Sequence, residues 1–200
     1  MVMVASGPLE NLKRYRLVLA SGSPRRRELL GMLGVKFDIA PSIDVDESYP
    51  KSIDSLEVAQ YVAMKKAEAY KPFMGNDDLY VTADTVVVNR GCVMGKPHDA
   101  DDARRMLRSL SGHAHTVVTG VAVFDKVRTE SFSAMTKVEF ADLTDAEIDS
   151  YVAKCHPFDK AGAYGIQEWI GCIGVSRIDG SFYNVMGLPL HCLYNVLKSF

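Results

Sequence analysis

The chain has 200 residues, 48% of them hydrophobic and 24% charged, a balance that excludes a disordered or fibrous protein and suffices for a sizeable core. A net charge of −2 and a pI near 6.2 give no overall reason to bind a nucleic acid polymer or an acidic membrane, so any anion site must be local. The four cysteines (92, 155, 172 and 192) are far apart without a C-x-x-C, and no stretch approaches a membrane span, which points to a reducing, cytoplasmic setting.

Residues 1–11 read as a flexible N-terminal extension, leaving a single domain over 12–200. The first element is a strand at about 16–20, followed by a helix at about 24–33 and a short strand around 35–39. A helix spans about 56–70, with Asp54-x-x-Glu57 as its capping box. The β-branched run 80–88 turns at Asn89-Arg90-Gly91 into a hairpin strand over 92–94. Asp99 caps a helix that ends at Ser111-Gly112. Two long strands, 115–124 and 128–140, meet at a turn around Asp125-Lys126. Thr144-x-x-Glu147 opens a helix to about Lys154; an irregular glycine-rich segment covers 157–165, then a strand near 172–178 and a final helix over about 189–198. This order predicts an α/β protein with a mixed central sheet flanked by helices.

Ala20-Ser-Gly-Ser-Pro-Arg-Arg-Arg-Glu28 leads from an apolar strand directly into a helix. Ser23 suits the N-cap and Pro24 the first helical position, and Gly22 admits a close ligand, so the unpaired N–H groups beside Ser21 and Ser23 favour a phosphate. Arg25 and Arg26 add two guanidinium forks in the first turn. The nonapeptide alone fits a helix with surface arginines equally well.

Asp84 lies in an apolar strand, where an unpaired acid costs several kcal/mol, so a metal or cations must compensate it. Arg25, Arg26, Lys66 and Lys96 are the available cations; on sequence alone Asp84 could equally hold neighbouring backbone, and Lys66, next to Lys65, could be a surface residue. Glu47, in the acidic loop Ile43-Asp-Val-Asp-Glu-Ser48, fits magnesium, which takes one or two carboxylates together with phosphates and water; a solvated loop is the alternative. Thr85 and Gln167 are polar groups of the kind that read a base, the amide of Gln167 matching the imide edge of uracil or thymine; the alternatives are a strand residue and a loop amide. His113-Ala-His115 has a spacing that puts two rings on one strand face, but no third ligand accompanies it, and these histidines take a structural reading. Neither a P-loop nor a G-x-G-x-x-G occurs.

Ser21-Gly-Ser-Pro-Arg-Arg26, Val45-Asp-Glu-Ser48, Lys66-Ala-Glu-Ala69, Ala83-Asp-Thr-Val-Val87, Gly95-Lys-Pro97, Leu110-Ser-Gly112, Asp159-Lys-Ala-Gly-Ala-Tyr-Gly-Ile-Gln167 and Asn184-Val-Met-Gly-Leu-Pro-Leu190 succeed one another in this order. Together they resemble the Maf family of nucleoside triphosphate pyrophosphatases, from about Arg16 to the C-terminus. The resemblance implies a fold like that of inosine triphosphatases, two lobes around a cleft, and hydrolysis of a triphosphate to the monophosphate and pyrophosphate with a divalent cation (Mg, Mn or Co). It implies Asp84 as proton acceptor, with Glu47, Arg26, Lys66 and Lys96 completing the catalytic set. It matches Arg25, Thr85 and Gln167 to the specificity positions of the dTTP/UTP branch, and it implies a homodimer. Glu168-Trp169 depart from that branch, which usually continues with glycine, and set an acid and an indole beside the expected base pocket. Two other readings remain at this stage, a nucleotide-binding regulatory module without turnover and the same chemistry on 7-methyl-GTP.

Overall fold

Alternation along two long strands decides how the layers assemble. In the computed structural model, which describes residues 8–200, the strands are β1 (Arg16–Leu19), β2 (Asp38–Ile39), β3 (Asp78–Asn89), β4 (Cys92–Met94), β5 (Ala114–Phe124), β6 (Thr129–Phe140) and β7 (Val175–Asp179). They form one mixed sheet in the order β2-β1-β3-β5-β6-β7, with β4 also paired to β3. β1 runs parallel to both its neighbours, whereas β3, β5, β6 and β7 pair antiparallel. The helices are α1 (Pro24–Gly31), α2 (Val58–Tyr70), α3 (Ala100–Leu110), α4 (Asp145–Cys155), α5 (Trp169–Gly174), α6 (Phe182–Met186) and α7 (Leu190–Leu197).

Successive residues of β3 and β5 point to opposite faces. Even-numbered Tyr80, Val86, Val88, Val118, Ala122 and Phe124 pack with α2, which covers that face. Odd-numbered residues face the remaining helices in two separate apolar clusters. One joins Leu79, Val81, Val121 and Val123 to α1 and α7, and the other joins Val87 and Val117 to α3, α4 and α5. Between the clusters, on the same face, stand two polar residues, Thr85 and its cross-strand partner Thr119.

The strand lengths open a gap at this seam. β3 pairs with β1 only over residues 78–81 and with β4 only over 87–89, so residues 82–86 have a strand on the β5 side alone. The end of β1 and the start of α1 both face that uncovered edge. α2 approaches closely on the other face, because an added Cβ on Gly120 would lie 2.3 Å from the backbone of Gln60. The Thr82 hydroxyl donates to the Ala63 carbonyl at 2.9 Å and fixes the height of the helix.

Most of the expected elements form, with four corrections. Residues 8–11 pack onto the domain instead of extending from it: Leu9 is buried, and the Asn11 side chain donates to the Leu197 carbonyl at 2.7 Å; residues 1–7 of the expected extension lie outside the described residues. Asp54 does not cap α2, since its carboxylate accepts from the Leu56 N–H in a tight local turn and the helix begins only at Val58. The first half of the strand expected at 172–178 is α5, drawn into helix by the burial of Ile170 against α3 and α4. α6 went unread, although Ser181 caps it and Gly187 ends it in the left-handed region at φ 114°. Asp99 and Thr144 cap α3 and α4 as expected, the latter through a complete capping box.

The two histidines of His113-Ala-His115 do not share a face. His113 precedes β5 and sits exposed beside Arg90, whereas His115 is buried, edge-on to Phe140 and Tyr164, with Nε2 2.7 Å from the Tyr164 hydroxyl and Nδ1 unpartnered.

Two stability measurements test this packing. Gly120→Ala strikes backbone rather than a movable side chain and is expected to cost about 1–3 kcal/mol, toward the upper end. Calorimetry should show it as about 2–4 °C of melting temperature per kcal/mol, and an unchanged melting curve would refute the close approach of α2. Burial lowers the His115 pKa from 6.5 to about 4. The unfolded chain then takes up the proton first on acidification, so stability falls as pH drops from about 6.5 to about 4 and this contribution changes no further below. The loss is roughly 3 kcal/mol over that window. His115→Gln should flatten that part of the stability–pH curve in urea titrations at pH 7 and pH 5; an unchanged slope would contradict the assignment.

Candidate active site

Ser23 occupies the N-cap of α1 in extended conformation, and its hydroxyl accepts from the Arg26 N–H at 3.5 Å, with Pro24 following as the first helical residue. No acidic residue stands in this first turn, which leaves the positive end of the helix uncompensated by its own side chains. Apart from its chain neighbours, no atom of the described residues comes within 4 Å of a Cβ built on Gly22, so the space over it is open. Arg26 reaches back across the seam. Its Nε donates to the Gly187 carbonyl at 2.9 Å, Nη2 to the Thr85 hydroxyl at 3.0 Å and Nη1 to the Ser21 hydroxyl at 3.4 Å. Burial lowers its pKa against the opposing effect of Asp84, but a guanidinium stays charged.

Asp84 leaves β3 on the α2 face. α2 buries Val62, Ala63, Ala67 and Tyr70, and Lys66 falls on that same stripe, whereas Lys65 turns to the rim. The Lys66 ammonium lies 2.8 Å from Asp84 Oδ1 and 2.9 Å from Glu47 Oε1, tying the acidic loop to the sheet. Lys65 secures the loop on either side of Glu47, at 3.0 Å from Asp46 Oδ2 and 2.9 Å from the Ser48 carbonyl. Partial burial pushes the Glu47 carboxyl up, but the Lys66 hydrogen bond and the charges of Lys66, Lys96 and Arg26 outweigh it and hold the pKa below its ordinary value. Lys96 is exposed and makes no ion pair among the described residues.

On the far wall, Arg25 Nη1 is paired with Asp159 Oδ2 at 2.7 Å. Lys160, with its side chain 9% exposed, bridges Asp159 at 2.7 Å and Glu168 at 3.0 Å. The other oxygen of Glu168 takes the Tyr151 hydroxyl, and that hydroxyl in turn accepts from the Gly165 N–H at 3.1 Å. This chain clamps the segment on both sides of Gln167, whose own amide is exposed at the cleft.

Ser23, Arg25, Arg26, Glu47, Lys66, Asp84, Thr85, Lys96 and Gln167 thus open onto one cavity of about 310 Å³. Ser21 and Gly22, also expected at the site, do not line it; the Ser21 hydroxyl accepts from Arg26. Tyr49, Asp159, Lys160 and an apolar wall of Val58, Val62, Val93 and Val117 also line it. Sequence reasoning assigned none of these a role; Asp159 and Lys160 open the Asp159–Gln167 motif, and Tyr49 directly follows the acidic loop. Two carboxylates converging on one ammonium form an oxygen donor set that also fits a divalent cation, and no third His, Cys, Asp or Glu joins them among the described residues. Such a pair leaves coordination positions for phosphate and water.

The profile described as Maf-like protein matches residues 16–200. The chain belongs to the Maf family. It is 56% identical to a dTTP/UTP pyrophosphatase of Parabacteroides distasonis over 192 residues, which is 96% of this chain and 100% of that protein. It is 53% identical to one of Porphyromonas gingivalis over 194 residues, covering 96% and 98% of the two chains. Among solved structures, the Ham1 protein of Staphylococcus aureus superimposes with a TM-score of 0.53 at 17% identity, over 92% of this chain and 98% of that one, a likeness of fold. Against the Maf pattern, Glu168-Trp169 were expected to stand beside the base pocket and to bear on the substrate range. In the structure Glu168 turns to Lys160 and Tyr151, Trp169 is exposed, and neither lines the cleft.

Proposed function

We propose that this Maf protein hydrolyses dTTP and UTP between the α and β phosphates, releasing the nucleoside monophosphate and pyrophosphate. The convergence of four cations (Arg25, Arg26, Lys66 and Lys96) and two carboxylates (Glu47 and Asp84) on one cleft at the tip of α1 carries this reading. The names of the relatives support the choice of nucleotide. The helix tip and Arg26 hold phosphate oxygens, and Lys96, which makes no ion pair among the described residues, adds a further cation to the cleft. Lys66 keeps Glu47 and Asp84 at a fixed separation. Glu47 and Asp84 would hold a divalent cation (Mg, Mn or Co), which when bound would supply charge to stabilise the departing pyrophosphate. Asp84 orients the attacking water and takes its proton; the water oxygen bonds to phosphorus, and the α–β anhydride bond breaks with its electron pair on pyrophosphate. Gln167, on the clamped segment, offers the donor and acceptor that match a uracil or thymine edge. A cytoplasmic homodimer is the setting the family resemblance implies.

Pyrophosphate release from UTP and dTTP with magnesium, manganese or cobalt tests the reaction. Calorimetric binding of nucleotide without pyrophosphate release would establish a non-catalytic module instead, and preference for 7-methyl-GTP in the same assay would move the substrate. Asp84→Asn is expected to cut kcat about 10³-fold, within the range for loss of a general base. Gln167→Glu loses the amide donor and keeps an acceptor, so kcat/KM for UTP and dTTP should fall about 10- to 100-fold relative to other nucleotides. Unchanged ratios across a nucleotide panel would refute that role.

A further inference from the structure

Thr85 lies at a specificity position on the family pattern, and a threonine beside a nucleotide cleft invites a direct contact with the base. Its hydrogen bonds leave it no hydrogen to donate to a base. Thr119, fully buried on β5 opposite Thr85, donates its hydroxyl hydrogen to the Asn184 main-chain carbonyl at 3.0 Å. A threonine hydroxyl has one hydrogen, and a carbonyl has none to return. Toward Thr85, whose oxygen is 2.9 Å away, Thr119 can therefore only accept. The single hydrogen of Thr85 is spent on Thr119, and its oxygen accepts from Arg26 Nη2 at 3.0 Å, the one direction open to a guanidinium. Both ends force the same polarity, from Arg26 through Thr85 and Thr119 to the Asn184 carbonyl.

The far end of the chain is anchored. Asn184 is fully buried, and its side-chain amide donates to the Val117 carbonyl at 3.1 Å and to the Thr136 hydroxyl at 2.9 Å, pinning α6 to β5 and β6. The near end holds Arg26, whose Nε is fixed by the carbonyl of Gly187 three residues further on. Of the five guanidinium N–H groups, three are committed to Gly187, Thr85 and Ser21, leaving one on each terminal nitrogen for an anion.

We infer that Thr85 gives no hydrogen bond to the base and acts instead through Arg26, with buried Thr119 as the positioning residue that sets its polarity and so aims the guanidinium at the phosphates. This rests on the proposed hydrolysis of nucleoside triphosphates for its substrate, though not for its geometry. Thr119 thereby affects the phosphate end of every nucleotide alike and is indifferent to the base.

The experiment compares wild type, Thr85→Val, Thr119→Val, the double variant and Thr119→Ser. Initial rates of pyrophosphate release are measured with UTP, dTTP, CTP and GTP, and affinity for inorganic pyrophosphate, which has no base, by calorimetry. Each valine variant should lower kcat/KM for all four nucleotides by the same factor, about tenfold for one hydrogen bond to a charged group. Ratios between nucleotides should stay within about twofold; the double variant should lose no more than the worse single one, because both break one chain. Pyrophosphate affinity should fall in step, and Thr119→Ser should recover most of the loss, which a cavity or general loosening would not explain. A tenfold or greater change in the UTP to CTP ratio in Thr85→Val overturns the inference, as does undiminished pyrophosphate affinity in either valine variant. If Thr119→Val fails to melt cooperatively, the Thr85→Val ratios and affinity decide alone. Wild type that binds pyrophosphate but turns over no nucleotide defeats the proposed reaction and leaves the inference to be judged on pyrophosphate affinity.

Discussion

The brevity of β1 is the constraint on which the site depends. A strand paired along the whole of β3 would close residues 82–86 into the sheet and leave no cleft. β1 stops at Leu19, and the chain turns at once into the capped tip of α1. The uncovered edge of β3 thus receives a helix N-terminus from one side, while strand alternation sends Asp84 to one face and Thr85 to the other. A ligand at the edge meets both faces of the sheet together. This is how one dipeptide serves two different surroundings, carboxylates and an ammonium under α2, and hydroxyls bonded to the Arg26 guanidinium between the two apolar clusters.

The ionic side is governed by desolvation. Lys66 sits on the buried stripe of α2, where an ammonium without a partner would cost several kcal/mol. Two carboxylates answer it, one from the strand and one from the 40–57 loop, so the loop is held by the same charge that the helix must neutralise. Gly120 is part of this arrangement although it touches no ligand. Any side chain there would lift α2 from the sheet and draw Lys66 away from Asp84.

Much of this was legible from local pattern. Strand alternation, the Asn89-Arg90-Gly91 turn and the caps at Ser23, Asp99 and Thr144 each act within a few residues, and each formed where expected. What sequence could not supply was decided by contacts distant along the chain. The Trp169–Gly174 run is apolar enough for strand or helix, and its packing against α3 and α4 settled the matter. The Asp54 box matched its template while the side chain found a nearer N–H. Within the site, most of the charged and polar residues that line the cleft were legible, but Tyr49, Asp159, Lys160 and the hydrogen-bond partners were not. The spacing of α2 already separates Lys66 from Lys65, since only the former falls in step with Val62, Ala63 and Tyr70. Thr119 had no local signal, being one β-branched residue among several in an apolar strand, and its part depends on a carbonyl 65 residues away.

The two arginines of the helix tip divide the work of meeting an anion. Arg25 is already neutralised by Asp159, so a phosphate gains from it only the difference between two carboxylate-like partners. That exchange is cheap, because the Asp159 side chain is 58% exposed and returns to water without a large penalty, and Lys160 still holds its other oxygen. Arg26 is held by a carbonyl and two hydroxyls, neutral acceptors that fix its direction without cancelling its charge. Its field therefore remains unspent within the cleft, where low solvation makes it count for more. On the proposed reaction, Arg26 is the group suited to charge that grows as the anhydride breaks, whereas Arg25 is tied through the Asp159–Lys160–Glu168 chain to the segment carrying Gln167.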